Sequence, residues 1–301
     1  MHTLRGISLL VVAVAFWGAA APFGKYLILT RFDTLAITQM RTSLAFVLLS
    51  LYFACKNRDL FRVRVRDVWQ FALLGIVGLA VTNFTYYFTV KEATVAAAIL
   101  VQYTAPVWVL LYSAWITKED KLDWVTVLSL VVALAGCFLS VTSGSLSDIS
   151  LKGWTLLTGP LSAFTFAYQM IAAKRLLKRY SMWTLLLYML GFATVFWLCV
   201  NPPWAVIAKN YGAADWGFLW LFAIVSILIP QAAFASGLRL LDVSKAGIVS
   251  ILEPVFAIGA AFIILGESIG AIQVFGGCMV LAAVALLQIH PMILRKSVKV
   301  E

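Results

Sequence analysis

Polar residues and prolines at helical spacing interrupt two apolar stretches of this chain. The two groups are Gln102, Tyr103 and Pro106, and Ser250, Glu253 and Pro254. Residues three or four positions apart share one face of an α-helix. A proline removes a backbone donor, and a polar side chain inside an apolar segment needs a partner, a cavity or a function. We therefore expect these side chains to bind a small polar solute, and we expect the two prolines to shape their helices.

Both groups belong to a stretch that the chain contains twice, at residues 90–139 and 238–287. A shift of 148 positions aligns the copies. The aligned pairs include Lys91 with Arg239, Val95 with Val243, Ala98 with Ala246, Pro106 with Pro254 and Glu119 with Glu267, and upstream of them Asn83 with Gln231 and Tyr86 with Phe234. A repeat in an apolar chain indicates two related halves of one fold.

Composition places the chain in a lipid bilayer. Hydrophobic residues make up 63% of it and charged residues 12%, whereas soluble domains have roughly 45–50% and about 25%. A helix needs about 20 apolar residues to cross the hydrocarbon core. We expect an all-α integral membrane protein with ten transmembrane helices at Ile7–Leu29, Leu35–Ala54, Val68–Thr89, Thr94–Ile116, Leu122–Val141, Gly153–Ala173, Trp183–Val200, Trp216–Gly237, Lys245–Leu265 and Ile269–Ile289.

The distribution of basic residues predicts how these helices are oriented in the membrane. With the N-terminus in the cytoplasm, most lysines and arginines fall on the cytoplasmic side, and we interpret the cluster at 174–179 as part of this signal. Both termini are then cytoplasmic, and five helices per half make the second half inverted relative to the first. We expect a first five-helix repeat at 1–142, a linker at 143–152, a second repeat at 153–294 and a basic cytoplasmic tail at 295–301, in the inner or plasma membrane.

The residue types argue against several other classes of protein. The four cysteines stand alone in apolar runs, and His2 and His290 lie near the chain ends. We therefore expect no metal, no cofactor and no catalytic residues, and hence not an enzyme. The net charge of +10 is typical of a membrane protein with basic cytoplasmic loops, so we expect no nucleic-acid partner.

Amides and charges inside the helices are further candidates for the site. Asn83, Gln169 and Gln231 would lack partners if they faced lipid. Glu253 is the only carboxylate near the centre of a span. It either couples protons or pairs with a substrate ammonium, or else it is a neutral acid bonded to backbone carbonyls beside its proline. Lys25 and Arg41 reach the surface, or they bind an anionic group or gate the outer side.

The chain resembles the EamA-type members of the drug/metabolite transporter superfamily over residues 7–289. The resemblance is carried by Trp17-Gly18 with Lys25, by Arg41, by Pro106 with Glu119, and most of all by ILEPVFAIGAAFIILGES at 251–268. Thr117-Lys118-Glu119 departs from the family's usual Leu-Gly-Glu. The resemblance implies ten helices in two inverted halves around a central cavity, with the fifth and tenth helices often at a homodimer contact. It also implies small-metabolite substrates, amino acids among them, that are usually exported.

Six aromatic residues lie in helices that the resemblance assigns to the cavity. Together they would form an apolar or cation-accepting pocket. The alternative for each is ordinary packing or an anchor at the membrane interface. They are Trp17, Tyr86, Tyr103, Trp108, Tyr168 and Phe234.

These observations predict a secondary active transporter of a small metabolite. We expect an exporter of amino acids or related compounds that works by alternating access, without ATP, since the chain has no Walker motif. Proton coupling and a homodimer stay open. The alternative is an importer of a small cationic or quaternary amine, or of another metabolite, with the same fold. A non-transporting membrane protein or an intramembrane enzyme is a more distant alternative.

Overall fold

The computed structural model describes residues 2–117, 123–145, 151–266 and 268–297, and within these ranges every regular element is a helix. The helices are α1 (His2–Thr30), α2 (Thr34–Lys56), α3 (Val65–Leu73), α4 (Thr82–Glu92), α5 (Val95–Gln102), α6 (Ala105–Tyr112), α7 (Trp124–Thr142), α8 (Thr155–Leu177), α9 (Met182–Val200), α10 (Pro203–Ile207), α11 (Ala213–Ala223), α12 (Ile229–Leu240), α13 (Val243–Ser250), α14 (Glu253–Leu265) and α15 (Ala271–Ser297). A 3₁₀ turn lies at Arg58–Phe61.

Several of these helices join into longer runs. π-helical segments at Leu74–Val81 and Ile224–Leu228 connect α3 to α4 and α11 to α12, and a third at Ser113–Thr117 extends α6. In the described ranges, nine runs are long and apolar enough to cross a bilayer, and Ala271–Leu287 in α15 is a shorter apolar helix. Most of each stretch predicted from the sequence lies in these runs, and Leu122, the first residue of the fifth stretch, lies outside the described residues. A membrane crossing by the tenth stays a prediction.

Two of the runs are broken at equivalent places. The break between α5 and α6 and the break between α13 and α14 lie 148 positions apart, which is the offset of the sequence repeat. At each break the helical ladder gives way to a turn. The N–H groups of Thr104 and Leu252 bond to the carbonyl three positions back, each at 3.1 Å. The structure therefore has two short helices where the sequence predicts one continuous span.

The prolines explain where the second helix of each pair begins. Pro106 and Pro254 both lie in the first turn, of α6 and α14 respectively. The first N–H groups of a helix have no helical acceptor, and the fixed φ of proline suits this position. These prolines shape the bundle by starting helices rather than by bending them.

The two halves of the chain exchange their first helices. α1 packs on α12 and α14 of the second half, and α8 packs on α4 and α6 of the first. The contact of α1 with α14 is close. A Cβ atom added to Gly18 would lie 2.7 Å from the carbonyl oxygen of Glu253, so glycine is required there. The halves are thus interlocked rather than placed side by side.

Small residues bring α7 and α15 together. A Cβ atom on Gly276 would lie 2.5 Å from the backbone nitrogen of Ser140 and 2.6 Å from the carbonyl oxygen of Gly136. Small residues at such crossings allow backbones to approach closely in membranes. This glycine therefore packs α15 on α7 of the same chain.

Matched ion pairs join the halves at the two ends of the bundle. Arg179, after α8, pairs with Asp67 of α3 at 2.7 Å. Arg31, after α1, pairs with Asp215 of α11 at 2.9 Å. Both members of the second pair lie 148 positions from their counterparts in the first. The repeat therefore extends beyond the duplicated stretch to the connections between helices.

Asp67 is the better-enclosed carboxylate of the two pairs. It is 4% exposed and accepts a second bond of 2.6 Å from the Tyr180 hydroxyl. Burial and this hydrogen bond raise the pKa of Tyr180, so the hydroxyl keeps its proton and remains a donor. Gln70 also contacts Asp67 and Arg179. The cluster ties α3 to the connection between α8 and α9.

Lys174 closes the end of α12. Its Nζ atom donates to the carbonyl oxygens of Leu238 at 2.8 Å, Arg239 at 3.2 Å and Leu241 at 2.6 Å. A cation suits the C-terminus of a helix, where carbonyl groups lack helical partners. The basic cluster at 174–179 therefore has structural contacts as well as its proposed effect on topology.

We expect Gly276→Ala to destabilise the protein by about 1–3 kcal/mol, because the new methyl group would overlap the backbone of α7. Gly277→Ala is the matched control, since its Cβ atom would meet Val255 at an ordinary 3.4 Å. The apparent melting temperature of purified protein in detergent measures both. Equal melting of the two variants would contradict the close packing of α7 and α15.

We expect Asp67→Asn to lower the melting temperature, because it leaves Arg179 without its anion and weakens the bond from Tyr180. Asp59→Asn is the control, because the Asp59–Arg62 pair is largely exposed and exposed pairs contribute little. A loss of stability in Asp59→Asn as large as in Asp67→Asn would argue against a specific role for the enclosed cluster.

Candidate functional site

A cavity of about 640 Å³ lies among α1, α2, α4, α5, α8, α12 and α14. It extends from the middle of the bundle to the end where α1, α4 and α14 finish. Lys91, Val95 and Ser268 line it there and are exposed. The described residues that line it include none from the opposite end, where Lys174 binds the carbonyl groups of α12. The cavity is therefore reached from one end of the bundle.

Arg41 lies on one wall of the cavity, in α2. It is 7% exposed, and its Nη2 atom donates to the side-chain oxygen of Asn83 in α4 at 3.1 Å. The guanidinium also lies over the ring of Tyr87, 5.1 Å from the centroid, in a cation–π arrangement. Arg41 thus turns toward the cavity rather than reaching for the surface.

Two donors beside this contact have no partner. The Nε atom of Arg41 and the Nδ2 atom of Asn83 are both buried without a hydrogen bond. Most buried polar groups in proteins are bonded, and an unbonded donor costs about 1–3 kcal/mol. Two such donors at a cavity wall indicate a place for an acceptor.

Glu253 and Tyr103 meet where the two broken runs face each other. Glu253 is the first residue of α14, and Tyr103 directly follows α5. Both line the cavity, and their side chains lie close enough to interact. The broken runs therefore bring polar groups from both halves of the repeat to one point.

Three predicted amides also lie on the cavity wall. Gln102 ends α5, Gln169 lies in α8, and Gln231 lies in α12. Gln169 and Gln231 are 4% and 5% exposed. Gln231 and Asn83 are equivalent positions of the repeat, and the structure brings both to the same cavity. Whether these amides bind a substrate stays a prediction.

The predicted aromatic residues divide into two groups. Trp17 and Tyr86 line the cavity with Tyr103, and Phe234 lies behind Trp17 at 5.2 Å between ring centroids. Tyr168 is not among the lining residues. Trp108 is 39% exposed and lies against Phe164 at 4.2 Å, away from the cavity.

The remaining candidates lie in different surroundings. Pro254 lines the cavity, whereas Pro106 packs against Gly247. Ser250 is 1% exposed and donates to the carbonyl of its own helix at Ala246. The side chain of Lys25 lies outside the part of the chain that the structure describes.

Several lining residues are absent from the sequence prediction. Tyr87 lies four positions after Asn83, on the same helical face, so this spacing was the signal that could have found it. Ser226 lies in a π-helical segment, and its hydroxyl donates to the backbone carbonyl of Phe222. No pattern in the sequence indicates the exposed Ser268 or the half-buried Gln273.

Comparison with known proteins identifies the family. The model of the EamA-like transporter family matches residues 4–142 and 153–289. The chain belongs to this family. It is therefore a multi-pass membrane protein of the drug/metabolite transporters.

Three relatives show the range of this similarity. An uncharacterised transporter of Archaeoglobus fulgidus is 28% identical over 84% of this chain and 86% of its own. A probable terminal-alkyne amino-acid exporter of Streptantibioticus cattleyicolor is 23% identical over 95% and 94%. The threonine/homoserine exporter RhtA of Salmonella typhimurium is 23% identical over 82% and 79%. Two of the three are named as exporters of amino acids.

A solved crystal structure has the same fold. It superimposes with a TM-score of 0.77, covering 97% of this chain and 98% of its own, at 17% identity. At this identity the likeness supports the arrangement of the helices alone.

We expect Trp17→Leu to raise the KM of the transported solute about 2- to 10-fold, because it removes an aromatic wall of the cavity. Trp108→Leu should leave KM unchanged. Each tryptophan contacts one phenylalanine ring, so both variants lose one aromatic contact. Uptake kinetics in proteoliposomes measure the difference, and an equal rise in both variants would contradict a substrate at Trp17.

Proposed function

We propose that this protein is a secondary transporter that exports amino acids or related compounds by alternating access. Its ten helices form two inverted five-helix halves, 1–142 and 153–294, in the inner or plasma membrane with both termini in the cytoplasm. The observation that carries the proposal is the cavity, which is reached from one end of the bundle and is lined by Arg41 of the first half and Glu253 of the second.

Three symmetric features support the inverted halves. The helix breaks, the exchanged helices α1 and α8, and the ion pairs at opposite ends all recur between the halves. Transporters with inverted repeats place a site at the repeat interface, often beside broken helices, and rock the halves around it. An equivalent packing in which the second half takes the conformation of the first would open the cavity to the other side.

The proposed topology determines which side of the membrane the open end of the cavity faces. Under the proposed topology, α1 and α14 finish at the outer face, so the cavity opens outward. The opposite end carries most of the basic residues, including the cluster at 174–179. A transporter that faces outward in this state must close there and open at the cytoplasmic end to collect a solute for export.

The names of the relatives support amino acids as the substrate class. Two relatives that cover most of this chain are named as amino-acid exporters. An importer of a cationic amine is the second candidate, and the carboxylate of Glu253 beside Trp17 and Tyr86 favours it. The direction of net flux in cells separates the two.

The oligomeric state is a separate proposal. α7 and α15 expose apolar side chains such as Trp124, Val131 and Phe275. Lipid covers such a face in a monomer, and a second copy covers part of it in a homodimer.

We expect purified protein in proteoliposomes to exchange labelled amino acids, and cells that produce it to release amino acids faster than cells without it. Liposomes without protein measure the passive leak of the amino acids, and the Trp17→Leu variant is the impaired control. Absence of exchange across a panel of amino acids would overturn the substrate class, and net uptake by cells would favour the importer.

Proton coupling is tested in the same liposomes with and without a pH gradient. If Glu253 carries the proton, the gradient should accelerate wild-type transport and have no effect on Glu253→Gln. Equal, gradient-independent rates in the two proteins would remove Glu253 from any coupling role.

A further inference from the structure

We propose that the cavity selects zwitterions. Arg41 and Asn83 bind the carboxylate of an α-amino acid, and Glu253 with Tyr103 binds its ammonium group. This inference rests on the proposed function and assigns its substrate recognition to named residues at the two poles of one site.

The first pole has donors that the protein leaves unbonded, and we assign them to a carboxylate. The unpaired Nε–H of Arg41 and the unpaired Nδ2 donors of Asn83 flank the contact between the two side chains. A carboxylate has two oxygens that accept such donors, and Arg binds carboxylates through adjacent N–H groups. The substrate would satisfy groups that the protein alone leaves unbonded.

The orientation of this pole is fixed by its neighbours. Because the Asn83 oxygen accepts from Arg41, the amide must present its nitrogen as the free group. The ring of Tyr87 lies under the guanidinium and restricts its movement. Preorganised donors lose less freedom when a ligand binds.

The second pole has the opposite charge and a separate support. Glu253 begins α14, so its carboxyl lies on the cavity side of a helix break. Tyr103 lies beside it on the same cavity wall. Arg41 donates to Asn83, so the guanidinium has a protein partner other than Glu253. A molecule with both charges can neutralise both poles together.

The walls around the poles suit an apolar side chain. Trp17, Tyr86, Phe166, Phe222 and Ile227 all face the cavity. Apolar surface with a few placed polar groups is typical of small-molecule sites. We therefore expect amino acids with large apolar side chains to bind better than small polar ones.

Three ligands of one shape test the two poles separately. L-phenylalanine has both charges, 2-phenylethylamine has only the ammonium, and 3-phenylpropionate has only the carboxylate. Binding to purified wild-type protein is measured by calorimetry. We expect L-phenylalanine to bind about 10- to 100-fold more tightly than either analogue, since each lost charge-assisted bond leaves a buried group unpaired.

The variants should then show a crossed pattern. Arg41→Gln should weaken the binding of L-phenylalanine about 10- to 100-fold and leave the binding of 2-phenylethylamine unchanged. Asn83→Leu should change the two affinities in the same direction. Glu253→Gln should weaken L-phenylalanine and leave 3-phenylpropionate unchanged. The controls are Lys56→Gln, on the same helix as Arg41, and Glu92→Gln, both exposed, which should bind all three ligands as the wild type does.

The outcomes distinguish this inference from the proposed function. Melting temperatures show which variants are folded, and the unchanged ligand of each pair is a second check on folding. If wild type transports L-phenylalanine but Arg41→Gln binds it equally well, the assignment of the poles is wrong and the function stands. If wild type binds and transports none of a panel of amino acids, the proposed function fails first.

Discussion

The need to satisfy polar groups away from water governs this structure. In a bilayer the backbone must bond to itself, so irregular segments are tolerated only against protein or a water-filled cavity. The breaks before α6 and α14 meet this condition because they face the cavity. They also bring Tyr103 and Glu253 to it. The same irregularity that would be costly against lipid thus creates a polar centre.

The exchange of α1 and α8 connects this centre to the rest of the bundle. Each of these helices packs on the half to which it does not belong in sequence. A relative movement of the halves therefore changes both walls of the cavity. The ion pairs of Asp67 and Asp215 each join a connection of one half to a helix of the other half. A movement of the halves during transport therefore either keeps these pairs or replaces them with other contacts.

Several features of the site could be predicted from the sequence because they depend only on the free-energy cost of leaving a polar group unbonded in lipid. Asn83, Gln169 and Gln231 would be unsatisfied against lipid, and all three line the cavity. Other positions could not be assigned in this way. Trp108 and Trp17 are equally compatible with lipid and with a pocket, and only the rotation of their helices separates them. Ser250 satisfies its hydroxyl within its own helix, so its polarity carries no information about the site.

The sequence by itself determined the membrane class, the helical stretches and the repeat at an offset of 148, because apolar length and self-similarity are properties of the chain. The tertiary structure decided that the prolines begin helices, that α1 and α8 exchange, and that Arg41 meets Asn83 instead of the surface. These features depend on the packing and rotation of helices that are distant in the sequence. No local pattern records them.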